Sequence, residues 1–94
     1  MQTNHRRLQR EVTIVNAQGL HARPVMRFVD TAAKFVSNIR IRRNEIDVDG
    51  KSPMEMMLLE APCGTVLTLV VEGPDAGPAM EALVDLVNRK FGEE

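Results

Sequence analysis

Four stretches of this chain alternate apolar and polar side chains, and three others place apolar residues at helical spacing. In residues 8–15, Val12 and Ile14 fall on one face and Glu11 and Thr13 on the other, the two-residue period of a strand. Asn38-Ile39-Arg40-Ile41-Arg42-Arg43 alternates strictly, Ile46-Asp47-Val48-Asp49 continues the pattern, and Asn44-Glu45 between them suits a two-residue hairpin turn. Residues 65–72 are the most apolar of the four, with Leu67, Leu69 and Val71 on one face, which predicts a central strand. Val25, Phe28, Val29, Ala32 and Val36 predict a helix over residues 22–36 that turns Arg27, Asp30 and Lys34 to solvent. Met80, Leu83, Val84, Val87 and Phe91 predict a last helix, which Asp75 can cap once Gly73-Pro74 has ended the strand. Between them, Ser52-Pro53-Met54-Glu55 has the form of a capping box, with Ser52 as cap, Pro53 in the first turn and Glu55 reaching back. It predicts a short helix carrying an apolar stripe of Met54, Met57 and Leu58.

The resulting order, βαββαβα, predicts an α+β fold of the open-faced β-sandwich type. A four-stranded antiparallel sheet is covered on one face by two longer helices and one short helix, and its other face meets solvent. The pattern does not give the order of strands within the sheet. Residues 1–7 are polar and basic and read as a flexible N-terminal extension with His5 in solvent; residues 8–94 read as one domain.

Composition narrows the classes of function. Ninety-four residues suffice for one core and not for two. Hydrophobic residues make up 44% and charged residues 27%, and no apolar run approaches the roughly 20 residues of a membrane span, so no membrane insertion is expected. His5-Arg6-Arg7 has no apolar segment behind it and does not read as an export signal, and Cys63 is a lone cysteine; both agree with a cytoplasmic protein. With no Trp, no Tyr and three Phe, the chain offers no stacking platform for bases. Arg40, Arg42 and Arg43 resemble a phosphate-binding patch, but Glu45, Asp47 and Asp49 should face them across the hairpin, which predicts a solvated sheet face and no nucleic-acid partner.

The candidate chemistry concentrates in Gly19-Leu20-His21-Ala22-Arg23-Pro24, where the first strand gives way to the first helix. The opening turn of a helix has unpaired N–H groups and the positive end of the helix dipole, a combination that favours an anion. Pro24 fits there, since its φ is preset and its missing N–H is no loss. Gly19 lets the loop turn tightly or come close to a phosphate. The unprotonated imidazole of His21 is a nucleophile that can accept a phosphoryl group, and Arg23 carries a fork of donors suited to phosphate. A surface or capping role for His21 is the plainer reading of the same spacing.

These six residues resemble the active-site signature of HPr, the histidine-containing phosphocarrier family of the bacterial phosphoenolpyruvate-dependent sugar phosphotransferase system. The resemblance extends to Lys51-Ser52-Pro53-Met54, to Gly64 and to the final helix, and so covers nearly the whole chain from about residue 9. It implies that His21 accepts a phosphoryl group through Nδ1 from enzyme I and passes it to a histidine of an EIIA-type protein. Arg23 would steady the phosphate, with Gly19, Ala22 and Pro24 forming the supporting loop and helix start. The carrier would need no cofactor or metal, would act as a monomer, and would not itself be an enzyme. The resemblance also makes Ser52 a candidate regulatory phosphorylation site for an HPr kinase/phosphorylase, with a transcriptional regulator as a further partner. Met54, Met57, Leu58 and Arg27 become the partner-binding surface.

Three departures are visible. Glu60 stands where the family commonly has Gly, Glu55 would set a like charge beside a phosphorylated Ser52, and Asp30, Ala33 and Glu55 replace residues that are basic in many relatives. A less basic docking face weakens attraction to a strongly acidic partner. The alternative is therefore a regulatory relay in the same system, serving nitrogen or carbon control without sugar transport. A binding module that uses the methionine patch and no chemistry is the competitor from another class.

Overall fold

A computed structural model describes residues 6–93; the expectations for residues 1–5, His5 included, lie outside them. The chain runs β1 (Arg6–Thr13), α1 (Ala22–Ala32), β2 (Asn38–Arg43), β3 (Ile46–Asp49), α2 (Pro53–Met57), β4 (Val66–Gly73) and α3 (Ala76–Asn88), and ends in a 3₁₀ turn (Lys90–Gly92). All strand pairs are antiparallel and the sheet order is β1-β4-β2-β3, so the most apolar strand does lie inside the sheet. The fold is the expected open-faced α+β sandwich. One row of inward residues, Leu69, Ile41 and Val48, crosses three strands in register and is almost wholly buried. Phe28, Met56, Met80, Leu83 and Phe91 close over that side from the helices.

The outward face carries the charges. Arg40 and Arg42 each place Nε 3.0 Å from a carboxylate oxygen of Asp47, and the Arg40 guanidinium, joined by Arg42, holds the Asp47 carboxyl below the usual carboxylate range. Arg43 departs from the expected cross-hairpin pairing: its Nη1 donates instead to the carbonyls of Leu59 (2.6 Å) and Glu60 (2.8 Å), tying the hairpin to the end of α2. Arg6 and Arg7, counted above with the extension, sit in β1 opposite Gly73 and Glu72.

Three other boundaries differ from the sequence pattern. The first helix ends at Ala32, where tighter bonds from Lys34 N to Thr31 O and from Phe35 N to Ala32 O take over; Val36 is 73% exposed and belongs to no buried stripe. Asp75 does not cap its own helix. Its carboxylate accepts from the backbone N–H groups of Val36 and Ser37 and from the Ser37 hydroxyl, clamping the α1–β2 connection against the start of α3. The capping box is half made: Ser52 Oγ accepts from Glu55 N at 3.2 Å, but Glu55 Oε1 accepts from Asp49 N (2.9 Å) and fastens β3 to α2.

Candidate functional site

His21 is the N-cap residue of α1, with extended backbone (φ −101°, ψ −167°), and its carbonyl accepts the first helical bond from Val25 N at 3.0 Å. Its side chain takes no part in capping, so it is available for other work. The amides of Ala22 and Arg23 have no backbone acceptor among the described residues, and Pro24 has no N–H to satisfy. Pro24 and Val25 are buried and seat the helix start on the core, which fixes where those two N–H groups point. The preceding loop is rigid for a local reason. Gly19 has φ +75°, and a Cβ there would come 2.8 Å from Ala61 O and 2.9 Å from Pro62 Cα, so only glycine lets the two loops pass this closely. Leu20 N bonds to the same Ala61 carbonyl at 2.8 Å.

Around His21 opens a cleft of about 520 Å³ lined by Ala17, Gln18, Arg23, Arg27, Gly92 and Glu93. Arg23 is exposed on it and has no hydrogen-bond partner among the described residues. Arg27 lines the same cleft, but its Nη1 donates to Phe91 O at 2.6 Å and ties α1 to the 3₁₀ turn.

Two residues of this site carry no sequence signal. Asn16 is completely buried, and its Nδ2 donates to Gly19 O (2.7 Å) and to Glu93 Oε1 (3.2 Å). Both neighbours are acceptors, so the amide orientation is dictated by them. The other carboxylate oxygen, Glu93 Oε2, lies 3.3 Å from His21 Nε2. Glu93 reaches the site because Lys90, Phe91 and Gly92 all have positive φ (58°, 56° and 79°), which hooks the chain back towards α1 while Phe91 stays in the core. The sequence pattern assigned Phe91 correctly to the core, but as one more helical turn and not as a hook.

Beside the histidine lies an apolar groove between α1 and α2, lined by Ala22, Val25, Met26, Pro53, Met54 and Met57. Met54 is 83% exposed and Leu58 62%, whereas Met56 and Leu59 face the core. Met26 was not singled out from the sequence, although it stands four residues after Ala22 and so on its face of the helix. At the end of α2, Glu60 has φ +46°, a left-handed conformation that explains why glycine is at home in this position.

A sandwich of this topology with a histidine at the head of its first helix defines a class of small phosphoryl-carrying proteins, and the comparisons with known proteins agree. The family model for the PTS HPr component phosphorylation site matches residues 8–89. Similar proteins include the phosphocarrier protein HPr of Cupriavidus necator, 45% identical over 86 residues (92% of this chain, 97% of the relative), and that of Pseudomonas aeruginosa, 46% identical over 84 residues (88% and 93%). The crystal structure of HPr-C-His from Thermoanaerobacter tengcongensis superposes with a TM-score of 0.89 at 45% identity, covering 93% of this chain and 98% of that one. The chain belongs to the HPr family of phosphocarrier proteins. Among the described residues no helix is long and apolar enough to cross a membrane.

Proposed function

We propose that His21 is the phosphoacceptor, taking a phosphoryl group from phosphorylated enzyme I and passing it to a histidine of a downstream EIIA-type protein. The observation that carries this reading is the placement of His21 at the N-cap of α1, beside two amides without acceptors and the uncommitted guanidinium of Arg23. A phosphoryl group on the ring would meet donors already fixed by the fold, so little reorganisation is needed when charge arrives. The apolar groove of Ala22, Met26, Met54 and Met57 adjoins the histidine, and flexible methionines suit a surface that meets a donor and an acceptor in turn. The protein acts in the cytoplasm as a carrier, without a cofactor of its own, and is regenerated in each cycle.

The regulatory branch is favoured by one feature: Asp30 and Glu55 are exposed, so this face is less basic than a strongly acidic donor prefers. In that branch Ser52 is a second phosphorylation site, where a phosphoryl group would replace the present cap of α2 and stand beside Glu55. Radiolabelled phosphoenolpyruvate with enzyme I tests the main reading: label must appear on the wild-type protein, pass to an EIIA-type acceptor, and be absent from His21→Ala. Label that reaches the protein but no sugar-specific acceptor favours the regulatory branch.

A further inference from the structure

The fold divides the methionines among the described residues into two groups. Met56 and Met80 are each 1% exposed and belong to the core, whereas Met54 is 83%, Met26 45% and Met57 44% exposed. Those three line one groove of about 230 Å³, with Ala22, Val25 and Pro53 as the rest of its wall. Ala22 follows His21 in the chain, so the groove adjoins the site. None of the six lining side chains carries an N–H or O–H. Hydrocarbon walls are inert to peroxides, but the lone pairs of an exposed thioether sulfur are not. All the exposed, oxidisable sulfur of the methionines described is therefore gathered on the surface that meets the phosphoryl donor.

We propose that Met26, Met54 and Met57 form an oxidative modification site: a hydroperoxide converts them to sulfoxides, and the modified groove docks the phosphoryl donor poorly. In the step, a sulfur lone pair takes one oxygen of the hydroperoxide as its O–O bond breaks, and the other oxygen leaves with the proton as water or an alcohol. Sulfur loses two electrons and the peroxide gains them. A sulfoxide reductase reverses the change, two thiols becoming a disulfide as the oxygen departs as water. The product is a strong acceptor where a soft apolar atom stood. In the free protein, water solvates that oxygen at such exposures, so the fold is untouched. Docking strips the water away, and no side chain of the groove can replace its hydrogen bond. The cost thus falls on the complex. The proposal rests on the carrier reading for the identity of the partner, which is enzyme I.

The test uses the full chain carrying Cys63→Ser, because the exposed Cys63 thiol would otherwise react with peroxide as well. A second protein adds Met26→Leu, Met54→Leu and Met57→Leu together. Each is compared with itself before and after hydrogen peroxide. Peptide mass mapping should find an added oxygen on Met26, Met54 and Met57 well before Met56 and Met80. With its methionines in place, the protein should bind enzyme I about tenfold more weakly once oxidised, at unchanged circular dichroism, and sulfoxide reductases with a dithiol should restore binding. The leucine form should respond to peroxide in neither respect. An unchanged Kd with all three sulfurs oxidised, equal oxidation of Met56 and Met80, an equal loss in the leucine form, or a loss that the reductases do not reverse would overturn the proposal. Unoxidised protein that binds enzyme I yet accepts no phosphoryl group would refute the carrier reading and leave this docking test standing. Unoxidised protein that does not bind enzyme I at all would overturn both.

Discussion

Arg27 Nη1 donates to the carbonyl of Phe91 at 2.6 Å, and through this one bond the second turn of α1 holds the hooked 3₁₀ turn that delivers Glu93 to His21. The guanidinium also lies where a Cβ on Gly92 would come within 2.5 Å, so a side chain there would displace this contact in addition to meeting the strain of a φ of +79°.

Replacing Arg27 by Met keeps the apolar stem and removes the donor. A hydrogen bond from a charged group is worth about 1.5–3 kcal/mol, and this one is partly solvated, so a loss of about 1–2 kcal/mol is expected in urea unfolding. The more specific result is faster amide exchange at Gly92 and Glu93, with the sheet unaffected. Exchange that accelerates uniformly would contradict the tie.

Gly19→Ala should be costly for two separate reasons. The left-handed φ costs a residue with a Cβ about 1–2 kcal/mol, and the methyl would also press on Ala61 O and Pro62 Cα. A destabilisation of about 2 kcal/mol or more is expected from chemical denaturation, together with impaired phosphoryl acceptance as the His21 loop lifts from residues 61–62. A variant as stable as wild type would mean that the loop does not need its close approach.

Glu60→Gly should move the other way. Relief of the left-handed strain at φ +46° exceeds the added flexibility of the unfolded chain, for a gain of about 0.5–1 kcal/mol, read as a higher urea midpoint at unchanged slope. A lower midpoint would show that the Glu60 side chain stabilises the loop.

Asp75 makes stability dependent on acid. The Ser37 hydroxyl, with the backbone amides of Val36 and Ser37, holds its carboxyl below the usual range against an opposing effect of burial. A carboxyl depressed in the folded state contributes stability above the unfolded-state value, about 3.9, and that contribution is lost as pH falls through the lower folded value. Asp75→Asn should therefore melt below wild type at pH 7, with the gap narrowing as pH drops below about 4. A gap that does not change with pH would contradict the clamp.

What the sequence made legible follows from the range of each interaction. Alternation in residues 38–43 and 46–49 reports a local period, and those two strands were bounded correctly. The histidine, the start of its helix and the exposed methionines were likewise readable, because a helix start and a five-residue capped helix are local features. The partners of Asp75, Glu55 and Arg43 were not. Each side chain sits in a locally sensible place and then bonds to a residue brought near only by the fold: Ser37, Asp49 and Leu59. Asn16 and Glu93 were invisible for the same reason, since nothing near either residue in sequence signals that 77 positions of separation close to a 3.2 Å contact.

The most direct measurement is intact mass after incubation with phosphoenolpyruvate and a matched enzyme I, on wild type and on His21→Ala with its fold checked by circular dichroism. Wild type should gain the mass of a single phosphoryl group, lost on brief acid treatment as a phosphoramidate is, while His21→Ala gains none. An adduct that persists in acid, that also forms on His21→Ala, or that fails to form on wild type would contradict the assignment of His21 as the phosphoacceptor.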